Sequence, residues 1–128
     1  MIISFIEWDW SDNYSVFAST EYLGAMSDVY GWIGGFKDEK LEFVLPYIIN
    51  SKLSIKNIYF TSDIICVDGD DNSDAFYEKL LTFLKSSNIS FISQQPPQAV
   101  SKSYPIDSIN VSFGTYLIDL TLSEDDLW

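Results

Sequence analysis

Two kinds of apolar periodicity alternate along this 128-residue chain, and together they predict an α+β fold. The expectation is a single domain over residues 1–128, with a mainly antiparallel sheet of about six strands and two or three helices packed on one face of it. Three observations carry it. A chain of this length sits at the common size of one domain and buries roughly 65–70% of its unfolded surface. Its composition, 47% apolar and 16% aromatic against 20% charged, is that of a chain with a core. Finally, β-branched runs bounded by polar turn formers surround one clear helical stripe.

Residues 2–8 read as a strand, with Ile2, Ile6 and Trp8 on one face and Ile3 and Phe5 on the other. The polar run from Asp9 to Asn13 then suggests a hairpin loop leading to a second strand over 14–19. From Thr20 to Tyr30 the apolar residues Tyr22, Leu23, Met26, Val29 and Tyr30 recur at spacings of three and four, so a helix is expected with Thr20 as its cap. The glycines at 31, 34 and 35 predict a flexible turn over 31–36. Asp38 can cap the next segment, where Leu41, Val44, Leu45, Ile48 and Ile49 fall on one helical stripe. Pro46 interrupts that stripe, leaving either a kinked helix or a strand over 42–45 followed by a helix from Pro46. The stripe favours helix.

Residues 53–61 and 63–67 are β-prone runs, and the short Thr61-Ser62 break between them suggests an antiparallel hairpin. Over 73–87, Phe76, Leu80, Phe83, Leu84 and Ser87 repeat at four, three, four and three, with Asp74 and Glu78 near the start and Lys85 near the end. This is the clearest helix in the chain. A strand over 89–93, a proline-bearing surface loop over 94–105, and two strands over 108–113 and 116–122 around Gly114-Thr115 complete the pattern. Residues 123–128 form an acidic tail.

The formal charge is −12, all seven basic residues are lysine, and there is no Arg, no His and a single cysteine, Cys66. Lacking His excludes Ser-His-Asp triads, Cys-His dyads and histidine metal sites. Lacking Arg removes the planar fork that grips phosphate with two hydrogen bonds. One cysteine forms no internal disulfide and no cysteine zinc cluster. No cofactor is implied. A charge of −12 opposes binding to nucleic acid and to anionic membrane, and favours basic partners.

The charge is concentrated at the ends. Residues 1–36 and 103–128 each hold five acids and no lysine, whereas residues 37–102 hold nine acids and all seven lysines. No export signal opens the sequence, and no apolar run approaches the ~20 residues that span a bilayer, so a cytoplasmic location is expected.

Among polar clusters, Asp68, Asp70 and Asn72 have the alternate spacing that opens a calcium loop. Ser73 and Lys79 stand where that loop needs glycine and glutamate, so the cluster reads primarily as a solvated turn before a helix. Paired carboxylates also serve glycoside hydrolysis without histidine, although nineteen acids make pairs common. The more informative combination is aromatic with acidic. Glu7, Trp8, Asp9, Trp10, Asp12 and Tyr14 place three large rings among three carboxylates, and Asp119, Asp125 and Asp126 extend the acidic character at the other end.

A small, acidic, aromatic-rich domain of this kind resembles, in size, charge and composition, the bacterial immunity proteins of contact-dependent inhibition and related polymorphic toxin systems. That resemblance implies a non-enzymatic inhibitor forming a 1:1 heterodimer with a basic toxin domain, with no small-molecule substrate. The Trp8 to Tyr14 segment would then be its centre. The alternatives are an acidic nucleic-acid mimic that inhibits a DNA-binding enzyme, and a small carboxylate-dependent hydrolase.

Overall fold

The computed structural model describes residues 1–68, 73–94, 108–109 and 121–127. In order these form β1 (Ile2–Ile6), a 3₁₀ turn (Val16–Ala18), α1 (Thr20–Met26), β2 (Tyr30–Lys37), β3 (Lys40–Lys52), β4 (Ile55–Phe60), β5 (Ile65–Cys66), α2 (Asp74–Ser86), β6 (Phe91–Gln94) and α3 (Glu124–Leu127). The strands build one sheet in the order β1-β2-β3-β4-β6, with β5 alongside β3. All pairs are antiparallel except β4 with β6, which run parallel on either side of the α2 crossover. The α+β expectation of a six-stranded, mainly antiparallel sheet is met.

The helices do not share a face. Neighbouring strand residues point to opposite sides, and Trp32, Val44 and Ile48 cluster with Leu23 of α1, whereas Ile33, Phe43, Leu45, Ile58 and Phe60 cluster with Phe76, Leu80 and Leu84 of α2. Both faces of the central strands are therefore buried, which explains why their sequences run apolar without clean alternation.

That double burial corrects the most prominent misreading. Residues 40–52 are one strand, not a helix. Nearly every side chain from Leu41 to Ile49 is apolar, so a stripe at three-and-four spacing can be picked out of a period-two element. The glycine-rich stretch is likewise strand β2, with Gly31, Gly34 and Gly35 all buried. Gly35 is required by a close approach: a Cβ there would lie 2.5 Å from Cδ2 of Phe76, so the missing side chain is what lets α2 settle on β2.

Three smaller expectations also change. The partner of β1 is β2, with Ile2 opposite Phe36 and Ile6 opposite Trp32, and residues 16–18 form a 3₁₀ turn instead of a strand. Asp38 caps no helix; Asp38 and Glu39 make the two-residue β2–β3 turn at φ 49° and 64°. The hairpin expected at Thr61-Ser62 lies instead at Leu53-Ser54, where φ is 51° and 67°. Paired positive φ values suit the twist of a two-residue hairpin. The strands expected over 108–113 and 116–122, and the loop over 95–105, lie almost wholly outside the described residues.

Side-chain donors fasten the connection between β1 and α1 to the sheet. Trp32 Nε1 donates to the carbonyl of Ala18 at 2.8 Å and Thr61 Oγ1 to that of Phe17 at 2.6 Å. Ser19, the residue before α1, accepts from the Tyr22 amide at 3.2 Å, so it is the cap expected of Thr20. In α2, Ser73 stands at the cap position, but its side chain makes no cap bond.

Replacing Gly35 with alanine is expected to destabilise the protein by about 1–3 kcal/mol, because Phe76 is fully buried and has no free space to move into. The urea midpoint should fall at unchanged m-value, and Phe76→Leu in the same chain should recover part of the loss. An unchanged midpoint would show that β2 and α2 are not in contact at this point.

Candidate functional site

Pro46 lies in the middle of the longest strand. Its carbonyl accepts from the Thr61 amide at 3.3 Å, so its backbone faces β4, and on that side it has no N–H to offer. The ladder breaks there. Tyr47 is opposite Phe60, but Val44 is opposite Ile65, so two residues of β3 face four of the neighbouring chain. Residues 61–64 bulge out of the sheet, and a proline inside a sheet is tolerated at such a bulge.

The bulge falls where β4 ends, beside Gln94 of β6. Phe60 is opposite Gln94, the last residue of β6, and beyond Phe60 the chain turns away from β6 to rejoin β3 as β5. In sheets with parallel crossovers, the place outside the carboxyl ends of diverging strands is where ligands are bound. Asp63 occupies it. Its Oδ1 accepts from Gln94 Nε2 at 2.9 Å, which ties the bulge to the tip of β6. From the first turn of α2, the buried Tyr77 faces the same point. Burial and then the Asp63 charge push its hydroxyl up to about 12, so it stays protonated at neutral pH and can donate a hydrogen bond. Burial also raises the Tyr47 hydroxyl.

The sequence on either side of Asp63 is acidic. Between Asn57 and Glu78 the sequence carries six acids (Asp63, Asp68, Asp70, Asp71, Asp74 and Glu78) and no lysine. A phosphate at the start of α2 would meet carboxylates where helix amides alone would welcome it. A cation finds the opposite situation.

The residues singled out from sequence are distributed differently. Glu7, Asp9 and Asp12 are exposed, as expected of a wet rim. Their aromatic neighbours are spent internally. Trp8 lies against Tyr14 at 4.9 Å and Trp32 at 6.4 Å between ring centroids, and Trp10 Nε1 donates to the Ser15 carbonyl at 2.8 Å. Trp8, Trp10 and Tyr14 are all half-buried. Asp125 and Asp126 are exposed in α3, where Ser123 Oγ donates to Asp126 Oδ2 at 2.6 Å. Asp119, Asp70 and Asn72 lie outside the described residues; Asp68 is exposed, and among the described residues no three His, Cys, Asp or Glu side chains gather to hold a metal. No helix among them is long and apolar enough to cross a membrane. Asp63, Gln94 and Tyr77 were passed over in the sequence, although a proline within a β-prone run was the signal that could have located them.

No protein-family model matches the chain. No curated protein matches it either. A solved structure does: an aminoglycoside acetyltransferase from an uncultured soil metagenomic sample, at TM-score 0.45 and 14% sequence identity, over 72% of this chain and 68% of that one. The comparisons give the expectation of a toxin-neutralising immunity protein no support, and the likeness to an acetyltransferase, at this TM-score and identity, says nothing of this chain's activity; neither that expectation nor that of a chain without enzymatic activity is carried further. Within the Trp8 to Tyr14 segment, Trp8 packs on Tyr14 and Trp32, so part of each ring's surface is engaged inside the chain.

Tyr77 sets a pH dependence whose sign follows from its raised value. The fold favours the neutral phenol, so the contribution is complete below the ordinary value near 10 and is lost as pH rises toward about 12. That difference is worth roughly 2–3 kcal/mol. Urea melts at pH 9 and pH 12 should therefore show Tyr77→Phe losing less stability across this interval than the parent chain; equal losses would contradict the burial of the hydroxyl.

Proposed function

We propose that the chain binds a small organic ligand bearing a primary or secondary amine at the carboxyl ends of β4 and β6, with Asp63 as its charged anchor. The observation that carries this reading is the placement of the Asp63 carboxylate, held by Gln94 at the bulge where the parallel pair diverges. An ammonium group there gains a charge-assisted hydrogen bond from a carboxylate that the Gln94 amide already orients. The Tyr77 hydroxyl supplies a neutral donor for a ligand oxygen beside the amine. The sequence run from Asn57 to Glu78, which carries six acids and no lysine, favours cations over phosphate-bearing molecules.

Titration calorimetry with spermidine as cation and pyrophosphate as anion tests this. Spermidine should bind and pyrophosphate should not, and Asp63→Asn should weaken spermidine at least tenfold. Asp38→Asn removes the same charge from the distant β2–β3 turn and should change the affinity less than twofold. Equal effects of the two variants would reduce the binding to general charge attraction and overturn the site.

A further inference from the structure

A second feature lies on the opposite face, at the far end of α1. A groove of about 490 Å³ runs there, lined by residues 24–29 and by Ile49, Asn50 and Ser51. Strand β3 outruns β2 at this end: the last β2–β3 pair is Tyr30 with Ile48, whereas β3 continues against β4 as far as Lys52 opposite Ile55. Beyond Ile48 one edge of β3 is therefore open among the described residues. The Ile49 amide donates to the Val29 carbonyl at 2.8 Å and the Ile49 carbonyl accepts from Ser27 Oγ at 2.9 Å, so the backbone of Ile49 faces this edge. Backbone direction in a strand repeats every second residue. The amide and carbonyl of Ser51 consequently face the groove as well, one step past the last bonded position.

The groove offers three further features to a visitor. Met26 and Val29 stand exposed at 45% and 53%, presenting apolar surface beside the open edge. Asp28 is exposed between them, and no lysine is among the described residues that line the groove. The last carbonyls of α1 point out at the same end, adding partial negative charge. Ser27, which also accepts from the Val29 amide at 3.2 Å, locks residues 27–29 against β3, so the floor is rigid. We infer that this groove receives an extended peptide segment, which adds to the open edge of β3 through Ser51 and directs a lysine or arginine side chain to Asp28. Main-chain bonds to a strand edge supply affinity without sequence preference, and the alternate side chains supply selection, here an apolar contact on Met26 and Val29 and a cation on Asp28.

The probe is the peptide acetyl-Val-Lys-Val-Lys-Val-amide, added to the ¹⁵N-labelled full chain. It should shift the amides of Ser51 and of residues 25–29, and its affinity should fall at least fivefold with Asp28→Asn. Ser51→Pro removes the edge donor without touching the β4 side of the strand and should abolish binding. A peptide N-methylated along its backbone makes the same test without altering the protein, and should also fail to bind. Equal binding by the N-methylated peptide, by the glutamate analogue, or by free spermidine at these amides would overturn the inference. Asp63→Asn should leave the peptide affinity unchanged; loss of binding in that variant would assign the peptide to the other site and overturn the inference equally.

Discussion

Pro46 is a residue without an N–H in the centre of the sheet's longest strand, facing a neighbour that needs one. That constraint organises the region around it. The neighbouring chain keeps one bond to the Pro46 carbonyl, through Thr61, then leaves the ladder and rejoins it at Ile65. Leaving the ladder frees residues 61–64 from pleated geometry, so Thr61 can reach across to the Phe17 carbonyl and Asp63 can meet Gln94. A continuous β4–β5 strand would place Asp63 in the regular up-and-down alternation, either against a packed face or within it. The bulge is thus what makes a charged side chain at this position compatible with the two-sided burial of the sheet.

The electrostatic character of the molecule follows a similar logic. A charge of −12 without arginine or histidine excludes much chemistry, but it does not by itself identify a binding surface. The exposed acids around Trp8 and Trp10 surround rings that are already engaged, so they form a solvated rim around a satellite of the core. Asp63 differs from them in being half-buried, held by a neighbouring amide, and next to a buried phenol whose ionisation it opposes. A fixed carboxylate in a partly desolvated position discriminates between ligands far better than a mobile one in water.

How much was legible follows from burial. Helix α2 was readable because only one of its faces is apolar, and its predicted span of 73–87 differs from Asp74–Ser86 by one residue at each end. The helix beginning at Thr20 was readable for the same reason. Strand β3 was not, because burial on both faces fills nearly every position from Leu41 to Ile49 with apolar residues and erases the period. The buried glycines of β2 were misread because a glycine that admits Phe76 looks, in sequence, like one that makes a turn. The site was missed because its parts are far apart in the chain: Pro46, Asp63, Tyr77 and Gln94 meet only through the pairing of β3, β4 and β6. The acidic segments were visible at once, since charge needs no partner to be counted, and for that reason they carried more weight than their packing supports.

Native-state hydrogen exchange along residues 55–67 tests the break in the ladder most directly. The amides of Tyr59 and Val67, which face β3 on either side of the break, should be strongly protected, and those of Ser62 and Ile64 should exchange at least tenfold faster. Uninterrupted protection from β4 through β5 would mean that the strand passes Pro46 without leaving the sheet, and would remove the basis for placing Asp63 at a ligand site.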